Sequence, residues 1–151
     1  MAEPSGKESA TWGPDLVRSF MEELVPFNKH LGFKALKATP EEVELCLPFR
    51  DEFVGDPLRG ALHGGTISAL IDTAGGAVCF LNITTAERVS TVDLVVDYLR
   101  PGPLADIVAK ARIVRRGNRV IISNVDVVPR VGEQYVIAQG RGVYNVARFE
   151  L

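Results

Sequence analysis

His63 and Asp72 are the side chains that ionise near neutral pH in a long apolar stretch: from Ala61 to Ala86 the chain carries no Lys, Arg or Glu. A carboxylate in the middle of such a stretch describes a helix buried on nearly every side. Burying an ionised carboxylate costs several kcal/mol unless a partner compensates, so Asp72 is either paired or placed to act on a ligand. Gly64-Gly65 opens this helix and leaves its first backbone N–H groups unobstructed, an arrangement that receives an anion or a polarised carbonyl oxygen. Gly64 and Asp72 are separated by roughly 12 Å of helix at about 1.5 Å per residue, too far to address one reacting atom from a single chain. Two such helices antiparallel across a two-fold axis would bring the N-terminus of one beside the middle of the other. The expectation is a homodimer with shared sites, with pairing of dimers into a tetramer left open.

The elements that must position these groups follow from periodicity. Pro14-Asp15 starts a helix whose apolar stripe, Leu16, Phe20, Met21 and Leu24, is expected to pack and to end at Pro26. Gly32–Thr39 and Glu42–Pro48 form a hairpin around Thr39-Pro40-Glu41, with Val43, Leu45 and Leu47 alternating against Glu42, Glu44 and Cys46. A loop, Phe49–Gly60, precedes the central helix, roughly Thr66–Leu81. Four strands follow near Arg88–Tyr98, Ala105–Arg115, Arg119–Val128 and Gln134–Val146, with turns at Arg100–Pro103, Arg116–Asn118 and Pro129–Glu133. An apolar helix and a long antiparallel sheet predict an α+β domain in which a curved sheet wraps around the helix.

Composition narrows the function classes. With 151 residues and 46% hydrophobic content the chain is long enough for one core. A formal net charge of −2, and no basic run longer than Arg115-Arg116, argue against nucleic acid as a partner. Glycines, hydroxyl residues and Asp72 make residues 61–86 a poor membrane span. Cys46 and Cys79 lack metal-ligand spacing and are expected as buried free thiols, which suits a reducing cytoplasm. Residues 1–13 lack the apolar core of a secretory signal and are expected to be a disordered tail, leaving 14–151 as a single domain.

Leu62-His63-Gly64-Gly65, then Ala69-Leu70-Ile71-Asp72, then Thr91-Val92-Asp93-Leu94 and Tyr98-Leu99-Arg100-Pro101 resemble the hotdog-fold acyl-CoA thioesterases of the phenylacetate-degradation type, relatives of 4-hydroxybenzoyl-CoA thioesterase. The resemblance spans roughly Pro26 to Val146. It implies hydrolysis of a medium-chain or aromatic acyl-CoA, without metal or redox cofactor. It also implies that the Gly64 N–H polarises the thioester carbonyl while Asp72 of the other subunit activates water or attacks directly. Thr91 would orient the water or the acid. His63 would hydrogen-bond the site and orient the ligand, or serve only to hold the start of the helix. Many relatives place Asn or Gln six residues before the His; here that position is Pro57, and Asp56 beside it could take over part of the role. Gly65 and the turn Arg115, Arg116, Gly117, Asn118 and Arg119 complete the expected substrate set, since guanidinium groups bind phosphate bidentately, although a solvated loop is the plainer account of this turn. Trp12, Phe20, Phe27 and Phe53 either line an acyl tunnel or pack. The different-class alternative is a non-catalytic acyl-CoA-binding hotdog dimer, which Pro57 favours; a hotdog dehydratase ranks lower because its Pro-rich His motif is absent.

Overall fold

The computed structural model describes residues 10–149. Three short helical pieces come first: α1 (Pro14–Ser19), a π-helical turn (Phe20–Leu24) and α2 (Pro26–Leu31). Strands β1 (Lys34–Ala38) and β2 (Val43–Leu47) form the expected hairpin. A 3-10 turn (Asp51–Phe53) and a ribbon of β3 (Val54–Asp56) with β4 (Ala61–Leu62) lead into the 17-residue helix α3 (Gly64–Phe80). Strands β5 (Glu87–Tyr98), β6 (Ile107–Arg116), β7 (Val120–Pro129) and β8 (Ala138–Arg148) complete the chain. The six-stranded sheet has the order β1-β2-β6-β7-β8-β5, antiparallel throughout. This is the hotdog architecture, with the curved sheet wrapped around α3.

The helix sits in the concave face of the sheet. Ile67, Leu70, Ile71, Ala74 and Val78 of α3 pack against Ile107, Ala109 and Ala111 of β6, Ile121, Val125 and Val127 of β7, and Ala138 and Tyr144 of β8, all buried. Small residues set how closely helix and sheet approach: a Cβ added at Gly140 would collide with the Ile71 side chain, and one at Gly142 with the ring of Tyr144. A β-bulge between Thr91 and Asp93 then changes which parity of β5 faces the helix. Val89 and Thr91 face α3 before it; Leu94, Val96 and Tyr98 do so after it.

Several expectations are corrected. The first helical stretch stops at Leu24, with Val25 extended just before Pro26, but it is an α-helix running into a π-helical turn. Pro26 itself opens an unexpected second helix, α2, where its missing N–H is not needed. The buried residues there are Val17 and Met21, whereas Leu16, Phe20 and Leu24 of the expected stripe are exposed, because the face turned to the domain lies one residue further along. The link after β5 is no hairpin turn, since β5 pairs with β8 and the chain crosses to place β6 beside β2. Residues 1–9 of the expected tail lie outside the described residues, but residues 10–13 belong to the folded domain: Trp12 is buried and Thr11 bridges to Thr84. Helix α3 is not buried all round, for Gly65, Ser68, Ala69, Asp72, Thr73 and Gly76 form a stripe left partly open. No helix among the described residues is long and apolar enough to cross a membrane.

The two edges of the sheet differ. At β1 the Arg18 guanidinium donates to the Ala35 carbonyl at 3.0 Å and the Glu22 carboxylate accepts from the Ala35 N–H at 2.8 Å, so helical side chains cover the edge. At β5 no other strand follows among the described residues. This strand is anchored at its start by the buried Glu87, which accepts from the Thr84 N–H at 2.9 Å and faces Arg116 and Arg148 at 3.7 Å. The Thr84 N–H above all, then the Thr84 hydroxyl and the two guanidiniums, hold the Glu87 carboxyl below its ordinary pKa against the opposing effect of burial. A lowered folded-state pKa contributes stability above the unfolded value that is lost as pH falls through the folded value. Glu87→Gln is therefore expected to lose about 1–3 kcal/mol at pH 7. Urea titrations of variant and parent should converge only as the pH falls below the lowered folded-state value of Glu87; a gap that persists there would contradict the assignment.

Candidate active site

Helix α3 and its neighbours hold the expected site residues in two groups, His63 with Gly64 and Gly65 at the helix start and Asp72 with Thr91 at its middle. His63 is the N-cap of α3: its Nδ1 accepts from the Gly65 N–H at 2.8 Å, which places the ring proton on Nε2. The Gly65 N–H is thereby occupied, a correction to its expected place among the substrate ligands. The Gly64 N–H has no protein acceptor among the described residues, so it is the donor that the helix start presents outward. The Tyr98 hydroxyl donates to the Gly64 carbonyl at 3.0 Å and lies 3.0 Å from Ser68 Oγ, bracing this end of the helix from β5.

Two turns along, the Thr91 hydroxyl donates to Asp72 Oδ1 at 2.8 Å. Thr91 pairs directly with Tyr144 across the β5–β8 ladder, so both side chains rise from the sheet beneath Asp72. The Tyr144 hydroxyl lies 3.1 Å from the Asp72 carbonyl oxygen and 3.4 Å from its Oδ1. Burial first, then the Asp72 charge, pushes the Tyr144 phenol above its ordinary pKa, so it stays a protonated donor. Asp72 and Thr91 stand in the wall of a cavity of about 370 Å3 whose other walls are largely apolar, including Val17, Phe20, Met21, Phe80 and Val89. A carboxylate beside an apolar cavity, with an oriented hydroxyl on one oxygen, is equipped to take a proton from water next to a bound apolar group.

Sequence reasoning missed four polar members of this cavity, Asn28, Thr73, Ser90 and Tyr144, of which Tyr144 and Asn28 are buried. Tyr144 sits in a strand dense in β-branched residues and reads as packing. Asn28 is buried on α2, an element that was not expected; its side-chain amide donates to the Phe20 carbonyl of the π-helical turn at 3.2 Å, and the Thr73 hydroxyl lies 3.5 Å from its Oδ1. Of the four aromatic residues weighed for an acyl tunnel, Phe20 lines the cavity. Trp12 stands behind it, edge-on to Phe20 at 5.8 Å and to Phe80 at 5.6 Å. Phe27 is exposed, and Phe53 is buried with the Arg50 guanidinium 4.4 Å from its ring.

The remaining expected ligands divide. Asp56 shapes its own turn: its Oδ1 accepts from the N–H groups of Leu58 and Arg59 at 3.0 and 3.1 Å, an Asx arrangement, while its Oδ2 lies 3.8 Å from the exposed Arg59 guanidinium. In the basic turn, Arg116 folds inward, donating to the Asn82 carbonyl at 3.2 Å and the Gly117 carbonyl at 2.6 Å while facing Glu87. Arg115, Gly117, Asn118 and Arg119 line a surface hollow of about 460 Å3. Both cysteines are free and buried; burial pushes the Cys79 thiol up to about 12 and raises that of Cys46, so neither is a nucleophile near neutral pH.

Comparison with known proteins agrees with this geometry. Residues 59–135 match the Thioesterase superfamily. The chain is 32% identical over 135 residues to the medium/long-chain acyl-CoA thioesterase YigI of Escherichia coli, covering 81% of this chain and 86% of that protein. The protein of the same name from Salmonella typhimurium is 30% identical over 135 residues, with the same coverage. Among solved structures, a thioesterase family protein of Silicibacter pomeroyi superposes with a TM-score of 0.79 at 27% identity, covering 88% of this chain and 96% of that one. A thioesterase of Haemophilus influenzae reaches a TM-score of 0.80 at 21% identity over 93% and 94% of the two chains, a likeness of fold. The chain belongs to the thioesterase superfamily and is a thioester hydrolase built on the hotdog fold.

Proposed function

We propose that this protein is an acyl-CoA thioesterase of the phenylacetate-degradation type, hydrolysing a medium-chain or aromatic acyl-CoA to free acid and CoA at two sites shared across a homodimer. The observation that carries this reading is the Asp72 carboxylate, tied to Thr91, in the wall of an apolar cavity. The acyl group occupies the cavity. Asp72 takes a proton from water as the water oxygen bonds to the thioester carbonyl carbon. The Gly64 N–H of the other subunit, aided by the positive end of its helix, donates to the developing oxyanion. Collapse of the tetrahedral intermediate breaks the carbon–sulfur bond, and the proton leaves with the CoA thiol. His63 holds the helix start and keeps the Gly64 N–H free by capping Gly65. Two buried free thiols suit a reducing compartment, and we place the protein in the cytoplasm.

The dimer is argued from the unequal edges. Strand β1 is closed by Arg18 and Glu22, whereas β5 leaves Val92, Val95 and Tyr98 exposed beside the open stripe of α3. A second copy on this face would cover both and bring its own Gly64 toward Asp72. CoA phosphates fit the hollow at Arg115 and Arg119 rather than Arg116, which Glu87 and Asn82 hold.

Asp72→Asn keeps the side-chain shape but removes the base, so kcat should fall by on the order of 10²–10⁴ across a panel of acyl-CoA esters, read as free thiol, while acyl-CoA still binds. Undiminished thiol release would exclude Asp72 as the base; binding without turnover by the parent protein would leave an acyl-CoA-binding dimer. Mixing Asp72→Asn chains with chains inactivated at Gly64 should restore part of the activity in heterodimers. Confirmed subunit exchange with no recovery would rule out shared sites.

Replacing Arg115 and Arg119 together with Gln should raise KM for CoA esters roughly tenfold or more, since each charge-assisted contact is worth about 1.5–3 kcal/mol. Short N-acetylcysteamine thioesters, which lack the phosphates, should be turned over unchanged. Equal losses on both substrates would refute a phosphate contact.

A further inference from the structure

We propose that Tyr144 is a positioning residue for the Asp72 carboxylate: its phenol is locked in a glycine-lined slot beneath α3 and, with the Thr91 hydroxyl, fixes the carboxylate by its Oδ1. The inference rests on the reading of Asp72 as the base.

The slot is the first observation. Tyr144 is 2% exposed, although a tyrosine this deep must place its hydroxyl on a partner. Gly142 precedes it on the same face of β8, and a Cβ there would strike the Tyr144 ring and hydroxyl. From the helix side, a Cβ at Gly75 would come within 2.5 Å of the Tyr144 oxygen. The sheet and the helix thus each lack a side chain where the phenol lies. The ring has little room to move, and its hydroxyl is delivered to one place.

That place is Asp72. The single phenol proton is shared between the Asp72 carbonyl oxygen at 3.1 Å and Oδ1 at 3.4 Å. Thr91 donates to the same Oδ1 at 2.8 Å, and Oδ2 accepts from neither. Two donors on one oxygen fix the carboxylate plane and leave the second oxygen for water. Asp72 and Tyr144 are the titratable groups lining the cavity, and Cys79 of α3 is the titratable group on the far side of the phenol. No Lys or Arg lines this cavity, so the carboxylate is held there by hydroxyl donors rather than by a cation.

The test is Tyr144→Phe in the full chain, assayed as kcat and KM from pH 4 to 9 on one CoA ester. The expected result is a kcat lower by roughly tenfold, KM within about twofold, and an acid limb of the profile moved to higher pH, because a donor to the charged form is gone. A purely structural role would not move the acid limb. Unchanged kcat with an unmoved limb, or a change confined to KM, would overturn the proposal. As a measurement independent of turnover, the side-chain carboxyl carbon of Asp72 is titrated by NMR in both proteins, and its pKa should be higher in the variant; equal values would overturn the contact. If Tyr144→Phe fails to fold, 3,5-difluorotyrosine at position 144 keeps the ring and strengthens the donor, so the Asp72 titration should move to lower pH, and no movement would overturn the proposal. If Asp72→Asn keeps full activity, the base reading fails, and the NMR titration alone then decides whether Tyr144 holds the carboxylate.

Discussion

The close approach of α3 to β8 is the constraint on which the rest of the molecule depends. The inward residues of that strand run Ala138, Gly140, Gly142, Tyr144, so most of the floor under the helix has no bulk. Ile71 fills the space above Gly140, and the Tyr144 ring fills the space beside Gly142. Were either glycine to carry a side chain, the helix would have to rise from the sheet, since a packed interior yields little to an added methyl. Asp72 would rise with it, away from the hydroxyls of Thr91 and Tyr144. The depth of the carboxylate is thus set by residues that never touch the cavity.

The bulge at Val92 is the second device that serves the same end. A regular strand would present Thr91, Asp93, Val95 and Asp97 on one face, turning two carboxylates toward the apolar helix. One extra residue lets Thr91 face α3 and then hands that face to Leu94, Val96 and Tyr98. Thr91 can therefore reach Asp72 while Tyr98, on the same strand, braces the Gly64 carbonyl. The two ends of the helix that matter chemically are addressed by one strand, in two phases.

How much of this could be read from the amino acids depends on whether the signal was local. The long helix, the hairpin and four further strands were legible because their periodicity and turn residues are local properties, and their observed limits lie within a few residues of those expected. The broken first helix was not legible, because Pro26 serves equally well as the end of one helix and the first residue of the next. The crossing after β5 and the bulge within it are decided by which strand edge a partner occupies, and that is settled only by the assembled sheet. At the site, Asp72 stands out as a lone carboxylate in an apolar stretch, and Thr91 only through the family resemblance. Tyr144, Asn28 and the inward turn of Arg116 do not, because each acquires its meaning from a neighbour distant in sequence: Asp72, Phe20 of the π-helical turn, and Glu87. Asp56 shows how one residue can carry two signals, since an acidic residue next to Pro57 marks a turn as strongly as any chemistry.

The unequal sheet edges bear on why one helix would carry both a donor end and a carboxylate that cannot meet. A lone N–H at Gly64 and a lone carboxylate at Asp72 would be idle parts in a monomer, separated by about two helical turns. The same chain closes the backbone of β1 with Arg18 and Glu22 but presents twelve residues of β5 with no strand beyond them. Exposed strand edges invite pairing, and proteins that remain single commonly shield them with charge, bulges or covering segments. Here covering side chains close the edge far from the helix stripe, whereas β5, nearest to it, carries a bulge but exposes the apolar Val92 and Val95. A two-fold axis through β5 would place each helix's unused donor against the other's carboxylate, so that covering the edge and completing the site become the same event.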